Sequence, residues 1–175
     1  MKYQPKNTIE LEVLLSDESI YLGDIDTSLI TDMSCLFAND IGAKCPNRKD
    51  FSGISSWDVS KVADMSHMFE DCYVFNENIS GWDVSSVKNM ERMFDECNFF
   101  AQDISSWDVS GYENMSGMFS GCYAFNQPLN SWNVSKVRDM IGMFHSCYYF
   151  NQPLDKWNVS AVENMSVKCI VKICH

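Results

Sequence analysis

The chain carries little positive charge. It has 13 Lys and Arg residues against 24 Asp and Glu residues, a formal net charge of −11 and a pI near 4.5. Eight carboxylates and no Lys or Arg lie between residues 8 and 40. Proteins that bind nucleic acid present basic surfaces to the phosphates, so this composition argues against a nucleic-acid partner. We interpret the acidic segment 1–23 as a solvated N-terminal cap, and a basic partner for it is the alternative.

The sequence also lacks any long apolar run. No stretch approaches the roughly 20 residues that span a bilayer, so no transmembrane segment is expected. The opening Met-Lys-Tyr-Gln-Pro-Lys has neither the hydrophobic region of a secretory signal nor a cysteine for lipid attachment. As given, the chain is expected to be cytoplasmic, although a processed product would look the same.

Motifs of common enzymes are missing as well. There is no G-x-S-x-G, no P-loop and no glycine pattern for a dinucleotide. His67 and His145 occupy different positions of the repeat described below, and no place in the sequence groups several reactive side chains. We therefore expect no catalytic residues, no cofactor and no enzymatic activity.

A strict repeat dominates what the sequence does contain. Five tryptophans stand 25 residues apart, each in the phrase W-D/N-V-S-x-V/Y-x-D/N-M: Trp57, Trp82, Trp107, Trp132 and Trp157. A fixed period of this length is typical of repeat architectures, in which one unit cannot bury its apolar face alone and must pack on its neighbours.

Each repeat is predicted to have two parts. Residues 79–87 have the apolar spacing of a leucine-rich-repeat strand, with Trp82 and Val84 pointing inward. Residues 90–97 place Met, Phe and Cys at the spacing of a helical stripe, and Asn89 is read as the helix N-cap. The predicted fold class is therefore an α/β repeat solenoid, leucine-rich-repeat-like, with one short strand and one short helix per 25-residue coil.

Three segments of the chain are distinguished by this template. The cap at 1–23 contains a predicted helix that opens with a capping box of Asn7 and Glu10. The solenoid at 24–166 begins with a degenerate repeat and carries an insertion at 38–50, read as a loop. The tail at 167–175 leaves the template and is either a true cap or a frameshifted repeat. An imperfectly capped solenoid exposes apolar edge, so self-association through the C-terminal end is a further expectation.

The eight cysteines first indicate a disulfide scaffold. Four of them, however, hold one position of the repeat: Cys72, Cys97, Cys122 and Cys147. If they lie on helices packed about 8–10 Å apart, they are beyond disulfide reach, and we predict buried free thiols. There is no C-x-x-C, and Cys169, Cys174 and His175 on the tail are a weak zinc pattern, so no metal is expected.

Two sets of residues are candidates for an interaction surface. Asp58, Asp83 and Asp108 are predicted to form a row of like charges, either bonded to backbone at a bend or holding a cation weakly. Tyr73, Tyr123 and Tyr148 each directly follow one of the four repeated cysteines, which we call the column cysteines, in a variable part of the repeat. Exposed tyrosines suit protein recognition. The alternative is that they pack between the predicted helix and the loop that follows it in each repeat, which we call the return loop.

The pattern D-M-S-x-M-F-x-x-C-x-x-F-N-x-x-I-S-x-W-D-V-S-x-V resembles the repeat of BspA-like leucine-rich-repeat surface proteins over about residues 24–166. Mycoplasma surface lipoproteins contain the same unit, a domain of unknown function. The resemblance implies a leucine-rich-repeat-like solenoid and, in family members that are exported, adhesion or other surface interaction. It implies no catalytic residues.

The sequence as a whole therefore predicts a non-enzymatic protein-interaction or adhesion-type scaffold module whose protein partner is unknown. The alternatives are a cysteine-based thiol or metal-binding protein and a self-assembling structural element.

Overall fold

The computed structural model describes residues 2–39 and 48–165. Helix α1 spans Thr8–Leu15, and 3-10 helices span Leu22–Asp24 and Ile54–Ser56. The predicted cap helix is confirmed: the Asn7 side chain accepts a hydrogen bond from the Glu10 N–H at 2.9 Å, and Leu11 and Leu15 are buried. Among the described residues, no helix is long and apolar enough to cross a membrane.

Successive repeats are joined by parallel β-bridges at one position of the template. The bridges pair Asp32 with Asp64, Asp64 with Asn89, Asn89 with Asn114, Asn114 with Asp139, and Asp139 with Asn164. From Asp64 onward each bridge joins the same position of two consecutive repeats, so neighbouring repeats lie side by side in register. One residue per repeat thus marks the line along which the units are connected.

A second line of hydrogen bonds follows each bridge. The N–H groups of Met65, His67, Phe69 and Asp71 donate to carbonyls of the next repeat, at distances of 2.8 to 3.0 Å. The intervening Met68 and Glu70 donate instead within their own repeat, to the carbonyls of Met65 and His67. The backbone of residues 65–71 therefore alternates between bonding to the next repeat and turning on itself.

This segment differs from the predicted helix. Residues 66–71 and 91–96 are successive turns, and α1 is the only α-helix among the described residues. His67 and Asp71 have φ angles of 58° and 60°, in the left-handed region that no right-handed α-helix contains. Asn89, predicted to be a helix N-cap, lies instead at the position of the bridges, and at the same position of the preceding repeat Asp64 accepts the Ser66 N–H at 2.8 Å.

The predicted strand at residues 79–87 also takes another form. These residues form no β-bridge, and turn hydrogen bonds run from the Trp82 N–H to the Ile79 carbonyl and from the Val87 N–H to the Val84 carbonyl. The predicted directions of the side chains are nevertheless confirmed, since Trp82 and Val84 are buried and Asp83 is exposed. Alternation of inward and outward residues therefore occurs here without a strand.

Aromatic columns form the centre of the core. Phe69, Phe94, Phe119 and Phe144 stack on one another with ring centroids 5.6 to 5.8 Å apart. A parallel column contains Phe75, Phe100, Phe125 and Phe150, at 5.8 to 6.1 Å. Since each ring contacts the equivalent ring of the next repeat, the apolar face of one unit is completed by its neighbours, as the strict period predicts.

Each tryptophan adds a polar link between repeats. The Trp82 indole N–H donates to the Ile54 carbonyl, and the Trp107 indole N–H donates to the Ile79 carbonyl, both at 3.2 Å. All five tryptophans make such a bond, four of them to the preceding repeat and Trp57 to Leu22 of the N-terminal segment. A buried indole needs an acceptor, and the stacking of the repeats supplies one at the same place in each unit.

The column cysteines also bond to the preceding repeat. The thiols of Cys72, Cys97 and Cys122 are buried and free, and each donates to a phenylalanine carbonyl of the preceding repeat at 3.0 to 3.1 Å. The prediction of buried free thiols is confirmed for these three residues, whereas the fourth residue of the prediction, Cys147, is only partly buried. Its geometric basis is wrong, because the thiols lie in turns rather than on packed helices.

Arg48 connects the N-terminal segment to the repeats. Its guanidinium is buried and donates to the carbonyls of Leu15, Ile20 and Asp50 at 3.3, 2.6 and 2.9 Å. The end of α1 is thus joined to the start of the first full repeat. Most of the insertion predicted at 38–50, and the whole tail predicted at 167–175, lie outside the described residues.

Candidate interaction surface

The predicted aspartate row consists of turn-forming side chains. Oδ1 of Asp58 accepts the N–H and the hydroxyl of Ser60 at 3.0 and 2.7 Å, and Asp83 binds Ser85 in the same way. Asp108 accepts the Ser110 N–H at 3.0 Å. These contacts match the first of the two explanations, in which the aspartate side chains bond to the backbone at a bend, and not the second, in which they hold a cation.

Electrostatics of the row follow from these bonds. The hydroxyl and then the N–H of Ser60 lower the pKa of Asp58, and the same two groups of Ser110 lower the pKa of Asp108. Asn133 occupies the equivalent position and its amide oxygen accepts the Ser135 N–H at 3.2 Å. The turn therefore needs an oxygen acceptor and not a charge, which explains why both Asp and Asn occur in this column.

The aspartates of the row are not gathered into a group of metal ligands. Within residues 2–39 and 48–165, no three His, Cys, Asp or Glu side chains come together in a group that could hold a metal ion. The hypothesis that the row contacts a partner protein is independent of this result and has no further observation to support it.

The three predicted tyrosines belong to a longer exposed surface, which we call the aromatic flank. Its side chains are between 37% and 76% exposed. They are Tyr73, Val74, Phe99, Tyr123, Tyr148 and Tyr149. These residues occupy the two positions after the column cysteine, where the repeat template varies. Their exposure does not match the alternative interpretation, in which the tyrosines pack against the return loop.

Backbone hydrogen bonds hold the aromatic flank in line. The Phe99 N–H donates to the Tyr73 carbonyl at 3.3 Å, and the Ala124 N–H donates to the Asn98 carbonyl at 3.1 Å. Further along, the rings of Tyr123 and Tyr148 lie with centroids 5.3 Å apart and planes inclined by 30°. Equivalent residues of neighbouring repeats are therefore adjacent, and the flank is a continuous row.

Carboxylates border this row. Tyr73 donates its hydroxyl to Oδ1 of Asp71 at 3.1 Å, and the negative charge of Asp71 raises the pKa of the Tyr73 phenol. The charge of Glu96 is the main cause of a raised pKa at Tyr123. In both cases the raised phenol pKa comes from a negative charge close to the ring, so the aromatic flank combines aromatic faces with acidic groups.

A cavity of about 340 Å³ opens at the Tyr73 end of the aromatic flank. Phe51 and Val74 contribute apolar surface to it, and Lys49 and Asp71 contribute charge. The flank therefore begins at a concave place and continues as a row of exposed rings.

The sequence pattern predicts half of this surface. It indicates the two variable positions after the cysteine and selects Tyr73, Tyr123 and Tyr148 there as site residues, but it does not select Val74, Phe99 and Tyr149. A signal for these three exists, because they fill the second variable position after the cysteine. Phe99 in particular reads as a core residue by type, and only its position in the repeat distinguishes it from the buried Phe100.

The chain contains consecutive 25-residue units that are joined by parallel bridges and by columns of equivalent side chains. These features place it in the class of repeat proteins. The family described as "Mycoplasma protein of unknown function, DUF285" matches residues 12–112 and 97–170, and the chain belongs to this family. No curated protein and no solved structure matches the chain. The resemblance to a mycoplasma domain of unknown function is thereby confirmed, while its leucine-rich-repeat and surface-interaction parts stay predictions.

Proposed function

We propose that this chain is a repeat solenoid that acts as a non-enzymatic protein-interaction module, and that the aromatic flank is its contact surface. One observation carries the proposal. The apolar side chains that recur at fixed positions of the repeat are largely buried, whereas the aromatic side chains at the variable positions are exposed in a row. Contiguous exposed apolar patches on soluble proteins mark interaction sites.

The residue types of the aromatic flank support this function. Tyrosine brings a large contact area with few rotatable bonds, and it is enriched among the residues that dominate interface energies. Four tyrosines and Phe99 stand on four consecutive repeats, which gives an elongated surface rather than a single pocket. Such a surface suits a protein segment better than a small molecule, which is bound in a concave site.

Thiol chemistry is a weaker proposal. Burial raises the pKa of Cys72 to about 12 and that of Cys97 well above its ordinary value. Reactive thiols require a lowered pKa and access to solvent, and both thiols are instead committed to carbonyl acceptors.

Capture of binding proteins from a cell extract tests the proposed function. A variant with Tyr73, Tyr123 and Tyr148 all changed to Ala should lose proteins that the wild-type chain retains. The matched control changes Asp58, Asp83 and Asp108 to Asn, which leaves the turns intact and alters the other candidate surface. Loss in the tyrosine variant alone supports the aromatic flank. Equal capture by the wild type and the tyrosine variant contradicts the proposal, and loss in the Asn variant alone transfers the contact to the aspartate row.

A further inference from the structure

We propose that Glu96, Tyr123 and Tyr148 form a binding site for an arginine side chain of a partner protein. The inference rests on the proposed function, because it assigns a chemical class to the partner of the aromatic flank. The three residues come from three consecutive repeats, so no single repeat contains the whole site.

The aromatic part of the site is the pair Tyr123 and Tyr148. Their centroids lie 5.3 Å apart, and the two residues are 37% and 76% exposed. The planes are inclined by 30°, so the rings form a shallow, open angle rather than a closed stack. Exposed ring faces carry the negative side of the aromatic quadrupole, which attracts cations within about 6 Å of the ring centroid.

The acidic part of the site is Glu96, whose carboxylate has a defined position. Asn98 donates its side-chain N–H to Oε2 of Glu96 at 3.2 Å and to the Gly121 carbonyl at 3.0 Å. A Cβ atom built on Gly121 would lie 2.5 Å from the Glu96 carboxyl group. The carboxylate therefore lies over Gly121, in space that any other residue would fill, and it is close enough to Tyr123 to raise the pKa of that phenol.

Within the part of the chain that the structure describes, no cationic side chain pairs with this carboxylate. Arg92 pairs with Glu70 at 3.3 Å and with Asp95 at 3.6 Å. With a net charge of −11 on the whole chain, the field around the site attracts a cationic partner and repels an anionic one.

Arginine fits this arrangement better than lysine. A planar guanidinium stacks on an aromatic face and can donate two parallel hydrogen bonds to one carboxylate, whereas an ammonium group is a compact, strongly hydrated point charge. Tyr123 and Tyr148 supply the faces, and Glu96 supplies the acceptor. The geometry thus favours a partner segment that presents arginine.

Titration calorimetry with hexa-arginine as the probe tests the site, at about 0.15 M salt so that diffuse attraction is screened. Wild-type protein should bind hexa-arginine at least about threefold more tightly than hexa-lysine. Glu96→Gln and Tyr123→Leu should each weaken binding about fivefold, since each removes one attractive group. Tyr123→Phe retains the ring face and should bind like wild type.

The control is Asp83→Asn, which removes one exposed carboxylate away from the aromatic flank and leaves its turn in place. It should leave binding unchanged. Equal weakening by Asp83→Asn and Glu96→Gln, or equal affinity for hexa-lysine, overturns the proposal in favour of diffuse charge. Wild-type binding by Tyr123→Leu overturns it as well.

The two proposals fail in distinguishable ways. If capture from extract depends on the tyrosines but the wild-type chain does not bind hexa-arginine, the aromatic flank stands and the arginine site is wrong. If hexa-arginine binding requires Glu96 while capture is unaffected by the tyrosine changes, the site exists but does not serve the proposed function.

Discussion

At the scale of the residue, two positions in each of four consecutive repeats adopt a left-handed backbone. The first holds His67, Arg92, Gly117 and Gly142, with φ between 50° and 64°. The second holds Asp71, Glu96, Gly121 and Ser146, with φ between 57° and 67°. This conformation costs an L-residue roughly 1–2 kcal/mol. The three glycines remove that cost, and the other residues accept it because hydrogen bonds between repeats fix the backbone.

Gly142→Ala is therefore expected to lower the free energy of unfolding by about 1 kcal/mol. The nearest atom to a Cβ there is Cβ of His145, at 3.8 Å, so the loss comes from the backbone and not from a clash. Urea unfolding followed by tryptophan fluorescence measures it. Gly81→Ala is the control, since Gly81 has open space and no left-handed φ, and it should not be destabilising. Equal values for the two variants would contradict the explanation.

The aspartate turns make a second prediction at this scale. Serine hydrogen bonds hold the pKa of Asp58 and Asp108 below the ordinary 3.8. Each ionised side chain thus contributes stability above that value, which is lost as the pH falls through the folded-state pKa. Asp58→Asn with Asp108→Asn keeps the turns without titrating. Urea unfolding from about pH 5 to pH 3 should show a smaller loss of stability in the double variant than in the wild type. Parallel curves would exclude this origin.

At the scale of the element, several groups that recur in every repeat bond to the unit beside them. The Trp82 indole, the Cys97 thiol and the Asp64 backbone all contact a group one repeat away. The apolar spacing of residues 90–97 predicts a helix because a helix and this series of turns both form hydrogen bonds between residues three or four apart. The turns differ from a helix because some of their N–H groups bond to carbonyls of the next repeat, and a single repeat does not contain those carbonyls.

The cysteine column provides the prediction for this scale. Burial raises the pKa of the Cys97 and Cys122 thiols well above the ordinary value, and both thiols are shielded from solvent. Alkylation by iodoacetamide in the native protein should be roughly 100-fold slower than in denaturant, because it requires opening of the stacked repeats. Peptide mapping by mass spectrometry measures the two rates at each cysteine. Native rates close to the denatured rates would show that the column is not packed as described.

At the scale of the whole molecule, contacts join neighbours along one line. Bridges, aromatic columns and indole bonds all connect a repeat to the next one, and Arg48 extends the series to the N-terminal segment. In such an arrangement, a change at one end affects the adjacent unit first and distant units little. Hydrogen bonds of Arg48 and of the Trp57 indole, which donates to the Leu22 carbonyl, join the acidic N-terminal segment to the repeats. The side chains packed around these bonds belong to the same core.

Arg48→Met is expected to destabilise the N-terminal segment by about 3 kcal/mol, because three carbonyls lose a charged donor. Hydrogen exchange should accelerate at the amides of α1 and remain unchanged in residues 84–140. Lys49→Met is the control, since Lys49 is exposed, and its exchange should match the wild type. Faster hydrogen exchange throughout the chain would contradict the description in which each repeat affects mainly its neighbours.

The sequence by itself determined which side chains are inside. Trp82, Val84, Met90 and Phe94 are buried as their period indicates, since a strictly periodic chain whose units stack in register buries the same positions each time. It also identified the variable pair of positions after the cysteine, and with them three of the six residues of the aromatic flank.

The backbone of the repeat and the completed surface were decided only by tertiary structure. Four of the N–H groups in residues 65–71 have their acceptors in the next repeat, and bonds between units depend on how the units pack and not on local propensity. The site proposed at Glu96, Tyr123 and Tyr148 has the same origin, because its groups come from different repeats and meet only when those repeats lie side by side.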